Sequence, residues 1–266
     1  MTEGSPDLLV ERDGHVLTVT MNRPEARNAF SPDMLVRAAD AWKLLDEDPE
    51  LRVGILTGAG GCFCSGMDLK ALAGGMPDDV QARWSEDPDM HWKALLRHFR
   101  PSKPIIAAVE GYCVAGGTEI LQATEIRVAG DTAEFAIAEV QRGLFPLGGS
   151  TVRLQRQIAF TNAADLLLTG RRISAEEAKA IGLIGHVVPA GSALAKAREL
   201  ADLVASNGPL AVKAVLRSMR ETAGMTEAEG LAHELTIGEP IIFNTKDAKE
   251  GPRAFAEKRP PVFTGE

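Results

Sequence analysis

The sequence predicts an α/β fold, and three patterns support this prediction. Short apolar runs at residues 53–57 and 105–109 are typical of buried strands, and each runs into a glycine-bearing loop. A helical pattern follows each loop, which indicates stacked β/α units with a site at the strand ends. Helical spacing dominates the last third of the chain. The length of 266 residues is sufficient for one large domain with a sizeable core.

The N-terminal part predicts one strand and one helix. Residues 15–21 alternate apolar and polar side chains and are rich in β-branched residues, which predicts a strand that ends before Pro24. Ser31 and Pro32 have the N-cap and first-turn pairing of a helix start, and apolar residues keep helical spacing as far as Trp42. We expect this helix to end near Asp48.

The middle of the chain predicts a loop. Residues 74–89 are rich in Gly, Pro and Asp, which indicates a mobile loop before a helix that ends near Arg100. Such loops often cover ligands. Trp84, Trp92 and Phe99 lie in or near this segment, and they either line a pocket or belong to the core or an interface.

Further along the chain, three signals predict helix starts. Ser174 with Glu177, and Thr226 with Glu229, have the spacing of a capping box, so a helix should begin at each pair. Helical spacing also follows Gly191, and Pro209 should begin another helix.

The net negative charge restricts the classes of molecule that the protein can bind. Lys and Arg number 29 against 37 Asp and Glu, a net charge of −8, which repels phosphate backbones and anionic membrane surfaces. An anionic ligand would therefore need local cations. Apolar runs fall far below the roughly 20 residues of a spanning helix, and residues 1–13 contain no signal-peptide core. We expect a soluble, cytoplasmic protein with no nucleic-acid or membrane partner.

Several common chemistries lack their motifs. Three cysteines, Cys62, Cys64 and Cys113, are too few for a disulfide framework, and we expect reduced thiols. The five histidines are scattered, so we predict no metal site. The glycine-rich residues 58–63 end in Phe where a dinucleotide fingerprint needs glycine, and no Walker motif occurs. Ser65 lacks the flanking glycines of a hydrolase nucleophile.

Two glycine-bearing loops could form an oxyanion hole. Residues 63–70 turn through Gly66 into a helix start, and residues 111–117 lead into a second one. Free backbone N–H groups collect at helix starts, and two of them could aim at one carbonyl oxygen. Glycine before a helix is also common for conformational reasons alone, so spacing leaves both interpretations open.

Two glutamates could supply acid–base chemistry. Glu119 falls in the first turn of a predicted helix, where the helix dipole would favour its ionised form; a surface cap is the alternative. Glu139 lies among apolar residues, and burial would raise its pKa; a structural carboxylate is the alternative. Two carboxylates with different proton affinities could act as one base and one acid.

Taken together, these stretches resemble the enoyl-CoA hydratase, or crotonase, family. The matching segments follow in order along almost the whole chain: residues 22–29, 63–70, 109–119, 135–149, 166–183 and 250–263. The resemblance implies a crotonase-like spiral of ββα units with a helical C-terminal region that builds trimers, often paired into hexamers. It assigns residues 1–200 to the CoA-binding and catalytic core and residues 201–266 to oligomerisation.

The resemblance also implies the activity and its residues. It implies hydration of 2-enoyl-CoA thioesters, as in β-oxidation of fatty acids or steroid side chains, with the coenzyme as part of the substrate and no metal or redox cofactor. The oxyanion donors fall on the backbone N–H groups of Met67 and Gly116, and the catalytic glutamates on Glu119 and Glu139. Of these two, we expect Glu119 to act as the base and Glu139 as the acid, with the reverse assignment as the alternative. The implied CoA-binding residues are Arg27, Ser65, Asp68, Leu69 and Lys70, with Lys258 and Phe263, which we expect to reach the CoA of a neighbouring subunit.

Two departures from the family pattern affect the pocket. Met67 stands where many hydratases have a small residue, and Thr118 replaces a common third glycine. Both changes bear on pocket shape and acyl preference rather than on a backbone donor. The alternatives are double-bond isomerisation, dehydration of another hydroxyacyl-CoA, and a non-catalytic scaffold that binds acyl-CoA.

Overall fold

The computed structural model describes residues 6–266, apart from the side chains of residues 72 and 73. Its strands are β1 Leu8–Asp13, β2 Val16–Met21, β3 Val53–Gly58, β4 Ile105–Val109, β5 Tyr112–Val114, β6 Ile126–Gly130, β7 Glu134–Ala136, β8 Ile173–Ser174 and β9 His186–Val188. Its helices are α1 Pro32–Glu47, α2 Leu69–Ala73, α3 Asp78–Glu86, α4 Met90–Ala94, α5 Gly116–Leu121, α6 Ser150–Gln157, α7 Phe160–Thr169, α8 Ala175–Ala180, α9 Ala193–Ser206, α10 Pro209–Glu221, α11 Glu227–Asn244 and α12 Asp247–Ala256. Among these helices, none combines the length and apolar character needed to cross a membrane.

The strands form two sheets, and from β4 to β7 successive strands belong alternately to the larger and the smaller sheet. The larger sheet has the order β1-β2-β3-β4-β6-β9, and its neighbours are parallel except for the β1–β2 pair. The smaller sheet has the order β5-β7-β8, with β5 and β7 parallel. The chain runs from β4 through β5 to α5, and from β6 through β7 toward α6. This confirms the crotonase-like spiral of ββα units followed by a helical C-terminal region.

Apolar side chains pack on both faces of the larger sheet. On one face, α9 presents Ala193, Ala197, Ala201 and Ala205, whose small side chains at four-residue spacing contact strand residues such as Ile55. On the other face lies a larger cluster that includes fully buried aromatic side chains. The boundary expected at residue 200 thus lies inside a helix that packs on the larger sheet.

The helix signals agree with the structure. Ser31 Oγ accepts a hydrogen bond from Met34 N at 3.1 Å, and α1 ends one residue before Asp48. Helices α8 and α11 begin immediately after Ser174 and Thr226. Helix α10 begins at Pro209 as predicted.

The loop expected at residues 74–89 is wrong in part, because α3 occupies Asp78–Glu86. Its Val80 is buried and packs with Val36 of α1 and Met90 of α4. Burial of this apolar side chain outweighs the local Gly, Pro and Asp signal. The following helix ends at Ala94 rather than near Arg100. Of residues 1–13, the first five lie outside the described residues.

Candidate active site

A cavity of about 720 Å³ collects most of the candidate residues. The predicted residues on its wall are Arg27, Ser65, Met67, Leu69, Gly116, Glu119 and Glu139. This volume is within the range of small-molecule sites.

Two loops that carry the expected oxyanion donors are joined by backbone hydrogen bonds. Cys64 N donates to Tyr112 O and Val114 N donates to Cys64 O, each at 2.9 Å, so that Cys64 pairs with Cys113 in a parallel bridge. A β-carbon on Gly117 would lie 2.5 Å from Cys64 O, which explains the need for glycine there. The first loop therefore acts as a short extension of the smaller sheet.

The N–H groups of Met67 and Gly116 are available to a ligand. Met67 forms a parallel bridge with Phe30, but the bonds of that bridge use the neighbouring groups, Gly66 O and Asp68 N, so the Met67 N–H faces away from Phe30. Gly116 is the first residue of α5, where an N–H has no intrahelical acceptor. Neither N–H donates in the backbone hydrogen bonds found among the described residues outside the helices and strands.

Close contact holds Gly66, the residue before Met67, against the start of α5. Gly66 has φ +96°, and a β-carbon on it would lie 2.9 Å from Ala115 Cβ and 3.1 Å from Gly116 N. Glycine is therefore required here both by the backbone conformation and by the space. Two free N–H groups on adjoining loops are what an oxyanion hole requires.

The turn before α5 is strained and firmly held. Ala115 has φ 50° and ψ −123°, a conformation that costs a non-glycine residue about 1–3 kcal/mol. Ala115 N donates to Ala136 O at 2.8 Å. The Thr118 hydroxyl lies 2.6 Å from Cys113 O and 2.8 Å from Ala136 O. The threonine that replaces the usual glycine thus fastens this turn to the smaller sheet.

Glu119 is a residue of α5, and its buried carboxyl group lies at the N-terminus of α6. Its Oε1 accepts a hydrogen bond from Ser150 N at 3.2 Å. A β-carbon on Gly148 would lie 2.5 Å from Glu119 Oε2, so the carboxyl group fills the space above that glycine. Burial raises the pKa of Glu119, although the N–H groups of residues 148–150 oppose the rise. The α5 dipole was expected to favour the ionised form of Glu119. Desolvation outweighs any such effect, so the pKa of Glu119 is raised rather than lowered.

Arg153 holds the backbone around Glu119. It is partly buried, and its guanidinium contacts the carbonyl oxygens of Gly148 at 3.2 Å and Leu96 at 2.5 Å. None of the ion pairs among the described residues includes Arg153. Burial lowers its pKa to about 10, and the Glu119 carboxylate counteracts this change. A cation without its own carboxylate partner therefore stands beside Glu119.

Glu139 occupies a different environment. It begins a 3₁₀ turn, Glu139–Arg142, and its Oε2 is buried without a hydrogen-bond partner among the described residues. Burial raises the pKa of Glu139 to about 7, and the negative charge of Glu119 adds to the rise. The prediction that burial raises this pKa is confirmed in direction.

The expected residue Arg27 belongs to a basic and aromatic group on the wall, and sequence analysis missed the other members of this group. The guanidinium groups of Arg27 and Arg172 each lie over the Tyr112 ring, 5.1 Å from its centre. Arg142 also lines the cavity. These residues are far apart in sequence, and no spacing rule connects them.

The three aromatic residues of the middle segment divide between two roles. Trp92 lines the cavity together with Leu95 and Phe145. All three pack against the main core, and Trp84 and Phe99 do not line the cavity. Both alternatives stated for this group therefore occur.

Four predicted CoA-binding residues do not line the cavity: Asp68, Lys70, Lys258 and Phe263. Asp68 instead caps α2, accepting hydrogen bonds from the N–H groups of Lys70 and Ala71, and pairs with Arg23 at 3.0 Å. Phe263 O accepts a hydrogen bond from Arg52 at 2.8 Å within the same chain. Across residues 6–266, no group of three or more His, Cys, Asp or Glu side chains is placed to hold a metal ion.

Comparisons with known proteins agree with this geometry. A family model described as enoyl-CoA hydratase/isomerase matches residues 11–266. The enoyl-CoA hydratase EchA19 of Mycobacterium tuberculosis is 59% identical over 98% of this chain and 97% of its own length. A carnitinyl-CoA dehydratase of Proteus mirabilis is 37% identical over 98% of this chain and 99% of its own length. The crystal structure of enoyl-CoA hydratase EchA1 from Mycobacterium marinum superimposes with a TM-score of 0.89 at 45% identity, covering 98% of this chain and 100% of that one.

Proposed function

This chain belongs to the enoyl-CoA hydratase/isomerase family, and from that premise we propose a function and a mechanism. The protein is an enoyl-CoA hydratase, a hydro-lyase that adds water across the 2,3 double bond of 2-enoyl-CoA thioesters. The observation that carries the mechanism is the presence of both glutamates and both candidate N–H donors on the wall of one cavity.

The two backbone donors stabilise the charge that develops during the reaction. As water adds to C3, the thioester oxygen gains negative charge, and the N–H groups of Met67 and Gly116 donate hydrogen bonds to it. One such donor is typically worth about 2.7–4 kcal/mol of transition-state stabilisation. The strained turn at Ala115 contributes by holding Gly116 at the first position of α5.

The two glutamates divide the proton transfers. Ionised Glu119 takes a proton from water, whose oxygen forms the bond to C3. Protonated Glu139 gives its proton to C2, so one water molecule is added in total. Glu139, with a pKa of about 7, is still partly protonated at neutral pH, as an acid must be. Transfer of a proton from Glu119 to Glu139 then restores the starting state. Polarisation and acid–base action suffice, so we expect no metal or redox cofactor.

The CoA part of the substrate needs cations on this acidic protein. Arg27, with Ser65 and Leu69, lines the cavity, and so does Arg172, whose guanidinium also lies over the Tyr112 ring. A guanidinium pair of this kind can hold phosphate oxygens. We also propose that Lys258 and Phe263 contact the CoA that is bound to a neighbouring subunit.

The C-terminal helices support an oligomer. They expose large apolar side chains, which mark interfaces on soluble proteins: Val215, Met219, Leu231, Leu235, Ile242, Phe243 and Phe255. We propose that these helices build a homotrimer, or a hexamer of two trimers. We also propose that the enzyme acts in the cytoplasm.

The test is a hydration assay on purified protein. Loss of enoyl thioester absorbance is followed across short, long, branched and steroid-like 2-enoyl-CoA substrates, with identification of the product. Formation of a 3-hydroxyacyl-CoA by the wild-type chain supports the proposal. Absence of turnover on every thioester, in protein that binds acyl-CoA, would instead identify a non-catalytic module.

The carnitinyl-CoA dehydratase match favours a second candidate, dehydration of a hydroxyacyl-CoA. The same residues can catalyse it, because dehydration is the hydration reaction in reverse. An isomerase would convert the same thioesters without taking up water. Product analysis from both the enoyl and the hydroxyacyl side distinguishes these reactions.

A further inference from the structure

Helix α4 places one polar side chain in an otherwise apolar stretch of cavity wall. It contributes His91 and Trp92 to the lining, and Leu95, the residue that follows the helix, lines the cavity as well. Met67 and Phe145, which also line the cavity, are apolar as well. The mechanism proposed above gives His91 no role.

Neighbouring aromatic rings hold the His91 ring in a fixed position. The Trp84 ring stacks on it with centroids 5.3 Å apart and planes 12° apart, and the Trp92 ring lies 4.4 Å away at a tilt. Trp84 in turn packs against the core. Such packing leaves the imidazole few alternative orientations, so its nitrogen atoms are presented in a defined direction.

The ring is neutral at physiological pH and has hydrogen-bonding capacity to spare. Burial lowers the pKa of His91, outweighing the opposing effects of the Asp89 carboxylate and the Pro88 carbonyl. Nδ1 is buried and has no hydrogen bond of normal geometry. Nε2 is not among the buried atoms, and it has no hydrogen bond with the described residues. Of the two ring nitrogens, Nε2 is therefore the one open to a ligand.

A neutral imidazole matches a neutral oxygen. It has one donor and one acceptor nitrogen, and it offers no charge to neutralise a carboxylate. A polar atom without a partner beside an apolar ligand loses its hydrogen bonds to water, which disfavours a plain hydrocarbon chain at this position. A site that hydrogen-bonds a substrate oxygen discriminates against the analogue that lacks it.

We propose that His91 makes this enzyme select enoyl-CoA thioesters whose acyl group carries a hydroxyl or keto oxygen remote from the reacting double bond. This proposal rests on the proposed function, because it assigns the α4 side of the cavity to the acyl group.

The test compares matched substrates on the full-length protein. The probes are trans-2-octenoyl-CoA and its hydroxylated counterparts, with the hydroxyl group moved one carbon at a time from C5 to the chain end. For at least one position we expect the wild type to prefer the hydroxylated thioester. His91→Phe should reduce that preference in kcat/KM about tenfold, which corresponds to about 1.4 kcal/mol, and leave turnover of the plain thioester within about twofold.

A second histidine of the same segment provides the control. His98 is exposed, contacts Asp89 and does not line the cavity, so His98→Gln should leave both rates unchanged. If His91→Phe shows the wild-type preference at every hydroxyl position, His91 is only an aromatic part of the wall, and the proposal is overturned. Dissociation constants of the saturated acyl-CoA counterparts give the same comparison without turnover, so failure of the hydratase function and failure of this proposal can be told apart.

Discussion

Glu119 and Glu139 share one cavity but differ in how the protein surrounds them. Glu119 is buried, accepts a hydrogen bond from Ser150 N and stands beside the Arg153 cation. Glu139 is partly exposed, and its buried Oε2 has no partner among the described residues. The pKa of both is raised by burial, but the N–H groups of residues 148–150 and the Arg153 cation oppose the rise at Glu119, whereas only the residue's own N–H opposes it at Glu139.

This difference teaches that environment, rather than residue type, can assign the two proposed roles. Hydrogen-bond donors around a carboxylate favour its ionised form, which a base needs, whereas desolvation without donors favours the protonated form, which an acid needs. Because each carboxylate influences the other, the pair titrates as a unit. The predictions below test the two environments separately.

The largest effect should come from removing either proton site. Glu119→Gln and Glu139→Gln nearly preserve shape, so acyl-CoA binding should persist while kcat falls about 10²- to 10⁴-fold. The double variant should lose much less than the product of the two single losses, because the groups act in one event. Rates and dissociation constants provide the check.

Glu176→Gln is the matched control for this pair, because Glu176 is an exposed glutamate in the first turn of α8. It should leave kcat unchanged. A fully active Glu119→Gln or Glu139→Gln enzyme would falsify the mechanism with two carboxylates.

The next effect concerns the space around Glu119 alone. In Gly148→Ala the new methyl group would overlap Glu119 Oε2 and push the base out of position. We expect kcat to fall about 10²-fold, the typical cost of a small misplacement. Gly224→Ala, at a glycine with open space around it, is the control for kcat and thermal stability. Wild-type kcat in a folded Gly148→Ala protein would show that Glu119 need not be held there.

A smaller effect should follow from removing the cation beside Glu119. In Arg153→Met the loss of positive charge raises the pKa of Glu119 further, so the acidic limb of the pH profile should move to higher pH. Activity below that pKa should fall about tenfold, whereas the alkaline limb, set by Glu139, should move less. Arg153→Lys keeps the charge and should restore the profile in part. An unshifted acidic limb in both variants would assign Arg153 to structure alone.

The smallest effect is on stability and tests Glu139 alone. Its pKa is raised from 4.5 to about 7, so the folded state binds this proton more tightly than the unfolded state, and ionisation destabilises the fold as pH rises through that window. Glu139→Gln should therefore match the wild type near pH 4 and exceed it by about 1 kcal/mol above pH 7, after allowance for solvent screening. Chemical denaturation at several pH values measures the difference; a constant difference at all pH values would contradict the raised pKa.

Sequence analysis could predict what depends on local pattern. The apolar run before Gly111 and the Ser31–Pro32 pair specify a strand and a helix start because neighbouring residues decide them. Segment 74–89 could not be predicted in this way, since α3 depends on burial of Val80 against residues distant in sequence.

The site shows the same limit. The roles of Met67 and Gly116 rest on backbone atoms, and from the sequence only a family resemblance could assign them. The raised pKa of Glu119 depends on desolvation, which spacing within α5 cannot reveal. The contact of Tyr112 with Arg172 needs the pairing of β5 with β7 and of β7 with β8, which no local signal specifies.

The parallel bridge between Cys64 and Cys113 has a consequence for how such an enzyme can diversify. It consists of main-chain hydrogen bonds, and it sets the separation of the two loops by the ordinary spacing of neighbouring strands. Both expected donors are main-chain groups as well, so substitutions on the cavity wall can change which acyl group fits without altering charge stabilisation. The most demanding part of the catalyst is thus inherited with the backbone, and substrate range can evolve one side chain at a time.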